Sequence, residues 1–193
     1  KVKNSTTKET QRKLEIGTVK KQDISENQAN YAFLALGSNL GEKLNNLVKT
    51  KNLIIKHDIK IIKSSSYYET QSWPNKRFPS YINSVIFIKT SKSLSNLFST
   101  IKSIEKLIGR TKAKKNYPRV CDIDIIDYNG KVQYLTVGSF NVSTPHKSMH
   151  IRNFVLFPLF EITKTWIHPK LKKNIINLIS SLPLNDLRSI KLI

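Results

Sequence analysis

The chain has 193 residues, 39% of them hydrophobic, and a formal net charge of +20. That length and apolar content suit one domain with a single core. A single cysteine excludes an internal disulfide framework and a cysteine-based zinc site, and no apolar run nears the roughly eighteen residues of a membrane span. The charge favours polyanionic partners, nucleic acid or a nucleotide triphosphate. Lysines spread along the whole chain, beside abundant Asn and Ile, are equally the mark of AT-rich coding. Nothing calls for an oxidising compartment and no secretory signal opens the chain, so the default location is cytoplasmic, with no membrane.

Residues 1–29 are polar and lack aromatics. Their apolar positions (Leu14, Ile16, Val19, Ile24) keep no sustained period, which predicts a disordered leader or linker ahead of a folded domain over 30–193. YAFLAL (residues 31–36) reads as a strand stopped by Gly37-Ser38-Asn39. Leu44, Leu47, Val48, Ile54 and Ile55 keep helical spacing, with Lys51 on the same stripe. Residues 59–70 are β-branched and aromatic and predict one strand. A proline-bearing loop over 71–79 leads to the strand YINSVIFIKT (residues 81–90). Leu94, Leu97, Phe98, Ile101, Ile104, Leu107 and Ile108 predict an amphipathic helix capped by Gly109. A basic, irregular segment, RTKAKKNYPR (residues 110–119), separates it from a strand ending at Asn129-Gly130, a hairpin-turn pair. Two helices follow, over 151–162, interrupted by Pro158, and over 170–181. The order from Tyr31 predicts an α+β fold with a ferredoxin-like β-α-β-β-α-β core and additional C-terminal helices.

The strand PRVCDIDII (residues 118–126) carries two acids. Side chains alternate along a strand, so Asp122 and Asp124 share one face while Cys121, Ile123 and Ile125 take the other. At about 3.3 Å per residue the two acids lie roughly 6–7 Å apart at the backbone, close enough to converge on one cation. A solvated strand face is the plain alternative. Oxygen-only ligands favour a hard ion, and Mg²⁺ is commonly held by one or two carboxylates plus substrate phosphates. Of only six arginines in the chain, Arg110, Arg119 and Arg152 bracket this strand. Arginine grips phosphate with a planar fork that lysine lacks. Acids for Mg²⁺ beside arginines for phosphate make a phosphoryl-transfer constellation. No GxxxxGK[ST] motif occurs, which excludes a P-loop enzyme.

Four pieces, ALGSNLG (residues 35–41), YIN (81–83), KNYPRVCDIDII (115–126) and PHKSMHIRNFVLFPLFEI (145–162), resemble the 6-hydroxymethyl-7,8-dihydropterin pyrophosphokinase family of folate biosynthesis. The resemblance covers about residues 31–181. It implies transfer of the β,γ-pyrophosphoryl group of ATP to the pterin hydroxymethyl oxygen, with AMP as the other product. It further implies two Mg²⁺ ions on Asp122 and Asp124, and Arg110 and Arg119 on a mobile lid as catalytic arginines. Nucleotide contacts are implied for Glu105, Lys112, Ile125, Ser143, His146 and Arg152, and pterin contacts for Thr70, Tyr81, Asn83 and Phe154. On helix pattern alone Glu105 is a surface residue. Implied partners are ATP, a reduced pterin and other folate enzymes, fused or separate.

The chain departs from the family at several places. TQSWPNKRFP (residues 70–79) replaces a proline after the threonine and a Gly-Pro-rich loop, Tyr117 stands where Gly or Ala is usual, and the lid is one residue shorter. Ser143 replaces a frequent Thr and keeps the hydroxyl. These departures leave room for a non-catalytic member of the family. Another two-metal enzyme, such as a nucleotidyl transferase, is a rival that the acid pair alone leaves open, and a third is a basic nucleic-acid-binding module of the same strand order. RNA-recognition domains need an aromatic strand pattern that YINSVIFIK lacks.

Overall fold

The computed structural model describes residues 29–72, 75–110 and 117–193. The leader reading of residues 1–28 and the position of Lys112, with most of the expected lid, lie outside them. Strand β1 (Asn30–Ser38) runs through the middle of the sheet. It pairs antiparallel with β4 (Tyr81–Thr90) on one side and β5 (Asp122–Tyr128) on the other. Ala32, Leu34 and Leu36 point into a core shared with α1 (Lys43–Lys56) and α2 (Leu94–Leu107). Phe33 and Ala35 point the other way, against α3 (Asn153–Ile162) and α4 (Ile175–Ser180). A strand covered on both faces has no polar side to show, which is why YAFLAL reads as an unbroken apolar run.

The expected strand over 59–70 is two strands. Both β2 (Lys60–Ser64) and β3 (Tyr68–Thr70) pair antiparallel with the long β4. Between them the ladder is carried by a side chain: the Val85 N–H donates to the Ser65 hydroxyl at 2.9 Å, and the Ser65 N–H donates to the Val85 carbonyl at 2.9 Å. A run of three serines lets the chain bend while its partner's backbone stays satisfied. A short β8 (Lys191–Leu192) adds to β3, giving the order β5-β1-β4-β3-β8 with β2 also on β4. The result is an α+β protein with an antiparallel sheet and helices on both faces.

Three other expectations need correction. Asn129 and Gly130 do have the paired positive φ of a tight turn, 56° and 64°, but no hairpin partner of β5 follows. The next strands, β6 (Gln133–Val137) and β7 (Phe140–Thr144), pair with each other in a separate two-stranded sheet. Asn129 Oδ1 instead accepts the Tyr31 N–H at 2.7 Å and extends the edge of β1. Pro158 does not interrupt α3: the helix runs through it, held by buried Val155, Leu156, Leu159 and Ile162. The expected helix over 170–181 is only the six residues of α4, because Lys172 takes φ +56° and Asn174 caps the helix by accepting the Asn177 N–H at 2.8 Å. A further short helix, α5 (Leu184–Arg188), precedes β8. Among the described residues no helix is long and apolar enough to cross a membrane.

The turn before α4 is organised by His168. Its Nδ1 accepts the N–H groups of Lys170 and Leu171 at 3.2 and 3.1 Å. Burial pushes its pKa down to about 4 from 6.5. The folded protein therefore resists a proton that the unfolded chain accepts, and stability falls as pH drops from 6.5 towards 4. Thermal unfolding at stepped pH should show this slope in the native protein and a flattened one in His168→Asn.

Candidate active site

The site lies in one row across three strands. Gly37 on β1 is opposite Asp122 on β5 and Asn83 on β4. A Cβ at Gly37 would stand 3.3 Å from Asn83 Oδ1 and 3.4 Å from the Tyr81 ring. Glycine thus keeps the floor low, so that Tyr81 and Asn83 can lean over it. Gly37→Ala should displace these two side chains by a few tenths of an ångström and lower about tenfold the affinity of a ligand bound in the pocket they line. It should leave thermal stability level or slightly raised, since alanine stiffens the unfolded chain. Calorimetric titration alongside a melt separates the two effects.

Strand alternation places Asp122 and Asp124 together at the surface, 29% and 33% exposed, with Cys121, Ile123 and Ile125 in the core behind them. Each carboxylate is met by arginine. Arg110 Nη1 donates to Asp122 Oδ1 at 2.7 Å and Arg119 Nη1 to Asp122 Oδ2 at 3.2 Å. Arg152 Nη1 donates to Asp124 Oδ2 at 3.3 Å. Burial works against the Arg110 charge, but Asp122 and Glu105 outweigh it and hold the guanidinium above its ordinary range.

Glu105 is the clearest correction. Helical pattern puts it on the surface, yet it is 2% exposed. Its carboxylate accepts from Arg110, from Lys102 Nζ at 2.9 Å and from the Ile123 N–H at 2.8 Å. Burial raises its pKa, and these three donors oppose the rise. Glu105 therefore fastens the backbone between the two aspartates to α2 and steadies Arg110.

His146 follows β7, and its backbone N–H donates to the Ile126 carbonyl at 2.9 Å. Its Nδ1 accepts the Ser148 N–H at 3.3 Å, which leaves the proton on Nε2, 3.9 Å from Asp124 Oδ2. Burial lowers its pKa and Arg152 adds to this, against the pull of Asp124. The ring thus presents Nε2 to Asp124 across a 3.9 Å gap.

Two pockets meet at this pair. One is lined by Thr70, Tyr81, Asn83, Arg152 and Phe154 together with Arg119, Asp122 and Asp124. The other is lined by Lys102, Ile125, Ser143 and His146, again with Asp124. The sequence-derived residues thus divide into two groups on either side of Asp124. Arg110 and Glu105 line neither pocket and stand behind Asp122. In the first pocket Asn83 Nδ2 donates to Thr70 Oγ1 at 2.9 Å, and its Oδ1 stays over Gly37. Arg152 lies over the Phe154 ring at 5.5 Å. Among the described residues no cluster of three His, Cys, Asp or Glu side chains could hold a metal. Two carboxylates fit a hard cation only if substrate oxygens and water complete its shell, which is the usual manner of Mg²⁺.

Sequence reasoning passed over two structural residues. Gly37 and Asn39 read only as turn residues. Asn39 is 1% exposed and hydrogen-bonds Arg119 and Pro79. Nothing in a Gly-Ser-Asn turn announces a buried carboxamide.

Paired acids ringed by arginines between two pockets, on a helix-backed antiparallel sheet, are chemically suited to a hard cation and to phosphate groups. The chain belongs to the 7,8-dihydro-6-hydroxymethylpterin-pyrophosphokinase (HPPK) family, whose model matches residues 33–164. It is 33% identical over 153 residues to the 2-amino-4-hydroxy-6-hydroxymethyldihydropteridine pyrophosphokinase of Synechocystis, covering 79% of this chain and 76% of that one. It is 37% identical over 143 residues to the folic acid synthesis protein FOL1 of Dictyostelium discoideum, covering 74% of this chain but only 21% of the relative. In structure it resembles the HPPK-DHPS protein of Plasmodium falciparum, with a TM-score of 0.68 and 17% identity, over 89% of this chain and 49% of that one. The chain therefore spans about a fifth to a half of its multidomain relatives.

Proposed function

We propose that the protein transfers the β,γ-pyrophosphoryl group of ATP to 6-hydroxymethyl-7,8-dihydropterin, giving the pterin diphosphate and AMP in folate synthesis. The observation that carries this reading is the place of Asp124 on the border of both pockets. A group can pass between two substrates only where their sites touch. In the step, the hydroxymethyl oxygen bonds to the β-phosphorus while the bond to the bridging oxygen of AMP breaks. The alcohol's proton passes to water.

Tyr81 and Phe154 would enclose the flat pterin, which gains from stacking on rings. Asn83 Oδ1 would accept from a pterin N–H, its amide group being committed to Thr70. On the other side Ser143, His146, Ile125 and Lys102 would line the nucleotide, with Lys112 as a further contact. Glu105 would act through Arg110 and the Ile123 amide. Arg110, Arg119 and Arg152 would turn from the aspartates to the phosphate oxygens, stabilising charge as it builds. Asp122 and Asp124 would hold Mg²⁺, two ions in this reading, and bound Mg²⁺ neutralises charge on the phosphates.

The order β5-β1-β4-β3 supports a ferredoxin-like core within residues 30–193. The multidomain relatives support action beside other folate enzymes, fused or separate. The test is to incubate the protein with MgATP and the reduced hydroxymethyl pterin and to assay AMP and pterin diphosphate. Formation of both in equal amounts, lost on chelation of magnesium, is the expected result. A folded protein that forms neither refutes the reading.

A further inference from the structure

The end of β1 far from Gly37 borders a third pocket, which shares no residue with the two at Asp124. Its wall is aromatic. Tyr31 and Phe33 on β1 both stack on Phe87 of β4, with ring centroids 5.7 and 4.7 Å apart. Trp166 and the Asn129-Gly130 turn complete the pocket, and Asp127 gives it an acid. A β-bulge puts the acid there. Phe33 is opposite Asp127 while Leu34 is opposite Ile125, so Ile126 is an extra residue in β5. Strict alternation would send Asp127 into the core with Ile123 and Ile125. The bulge turns it instead onto the face of Phe33 and Trp166. A carboxylate among aromatic rings is costly unless something answers its charge. Asp127 is 3% exposed, and its side chain is met by neutral donors: the Gly130 N–H at Oδ1 and the Trp166 indole N–H at Oδ2, each at 2.9 Å. Burial raises its pKa against the pull of these donors. Among the described residues no Lys, Arg or His forms an ion pair with it.

We infer that this pocket seats an alkylammonium group, its cationic head at Asp127 and its apolar stem along the Tyr31, Phe33 and Phe87 rings. The head supplies the positive charge that the neutral donors lack, through a charge-assisted hydrogen bond. The stem covers ring surface that otherwise meets water, Tyr31 being 41% exposed. A free amine and the lysine side chain of another protein carry the same group, and the pocket recognises that shared chemistry.

The test titrates the native protein with n-butylammonium chloride at constant ionic strength. It follows the Trp166 indole N–H resonance, whose hydrogen bond Asp127 accepts. A saturable shift is expected, with a dissociation constant on the order of 1–10 mM. 1-Butanol has the same stem without the charge and should bind at least about tenfold more weakly. Butylammonium should lose at least about tenfold in affinity for Asp127→Asn, which keeps an oxygen for the indole. Tyr31→Ala alters a half-exposed ring and will fold; its affinity should fall about threefold. Nα-acetyl-lysine methylamide separates the two sources. Tighter binding than that of butylammonium assigns the pocket to a lysine side chain, and equal or weaker binding assigns it to a free amine. Binding of 1-butanol as tight as that of butylammonium, unchanged affinity in a folded Asp127→Asn, or no saturable shift below about 100 mM overturns the inference.

Discussion

Asp122→Ala and Asp124→Ala are each expected to lower pyrophosphoryl transfer by at least about a thousandfold, while circular dichroism and the thermal melt stay close to native. A thousandfold corresponds to about 4 kcal/mol of transition-state stabilisation, a plausible share for carboxylates that hold a metal against a transferring phosphate. The stability term is much smaller. Both acids are about one-third exposed, and ion pairs in that setting are worth about 1 kcal/mol or less. Their arginines also keep other partners: Arg110 retains Glu105. A native-like melt with lost turnover is therefore the signature of acids kept for chemistry. If either variant unfolds, the acids serve structure instead. Asp124→Ala should further weaken both ligands, because its side chain borders both pockets.

Arg119→Ala should lower turnover about a hundredfold and leave pterin affinity within about threefold. In the proposed reaction the guanidinium would act as charge builds on the phosphates, and losing one such donor commonly costs about 3 kcal/mol. The tie to Asn39 is made by the Arg119 main chain, so the substitution leaves it intact. Arg119→Lys should recover only part of the rate, since an ammonium lacks the planar fork. Single-turnover measurement of AMP, with pterin binding followed separately, checks both statements. Unchanged turnover would remove Arg119 from the mechanism.

Most of the sheet was legible because its strands are bounded by chemistry that acts locally. The apolar run of β1 ends at Gly37-Ser38-Asn39, and the alternation in β5 announces which side the acids take. What escaped depends on partners far along the chain. The break between β2 and β3 is set by Ser65 bonding to Val85, and no strand propensity encodes that contact. The pairing of β6 with β7, rather than a return onto β5, is not announced by the Asn129-Gly130 turn, which would serve either arrangement. Glu105 looked like one more charged residue on a helix. Its burial follows from where α2 packs against β5, which brings Arg110, Lys102 and the Ile123 amide to it. The residue types were legible in the sequence, but their grouping into two pockets about Asp124 required the fold.

The arginine–aspartate pairing has a consequence for how salt governs nucleotide entry. Arg110, Arg119 and Arg152 already face Glu105, Asp122 and Asp124, so these three guanidiniums add little net field at the acid pair. A magnesium–triphosphate complex carries the same alternation, cation for the carboxylates and anion for the guanidiniums. In the proposed reaction its arrival would swap one set of counter-ions for another. Docking should accordingly depend far less on ionic strength than a charge of +20 would suggest.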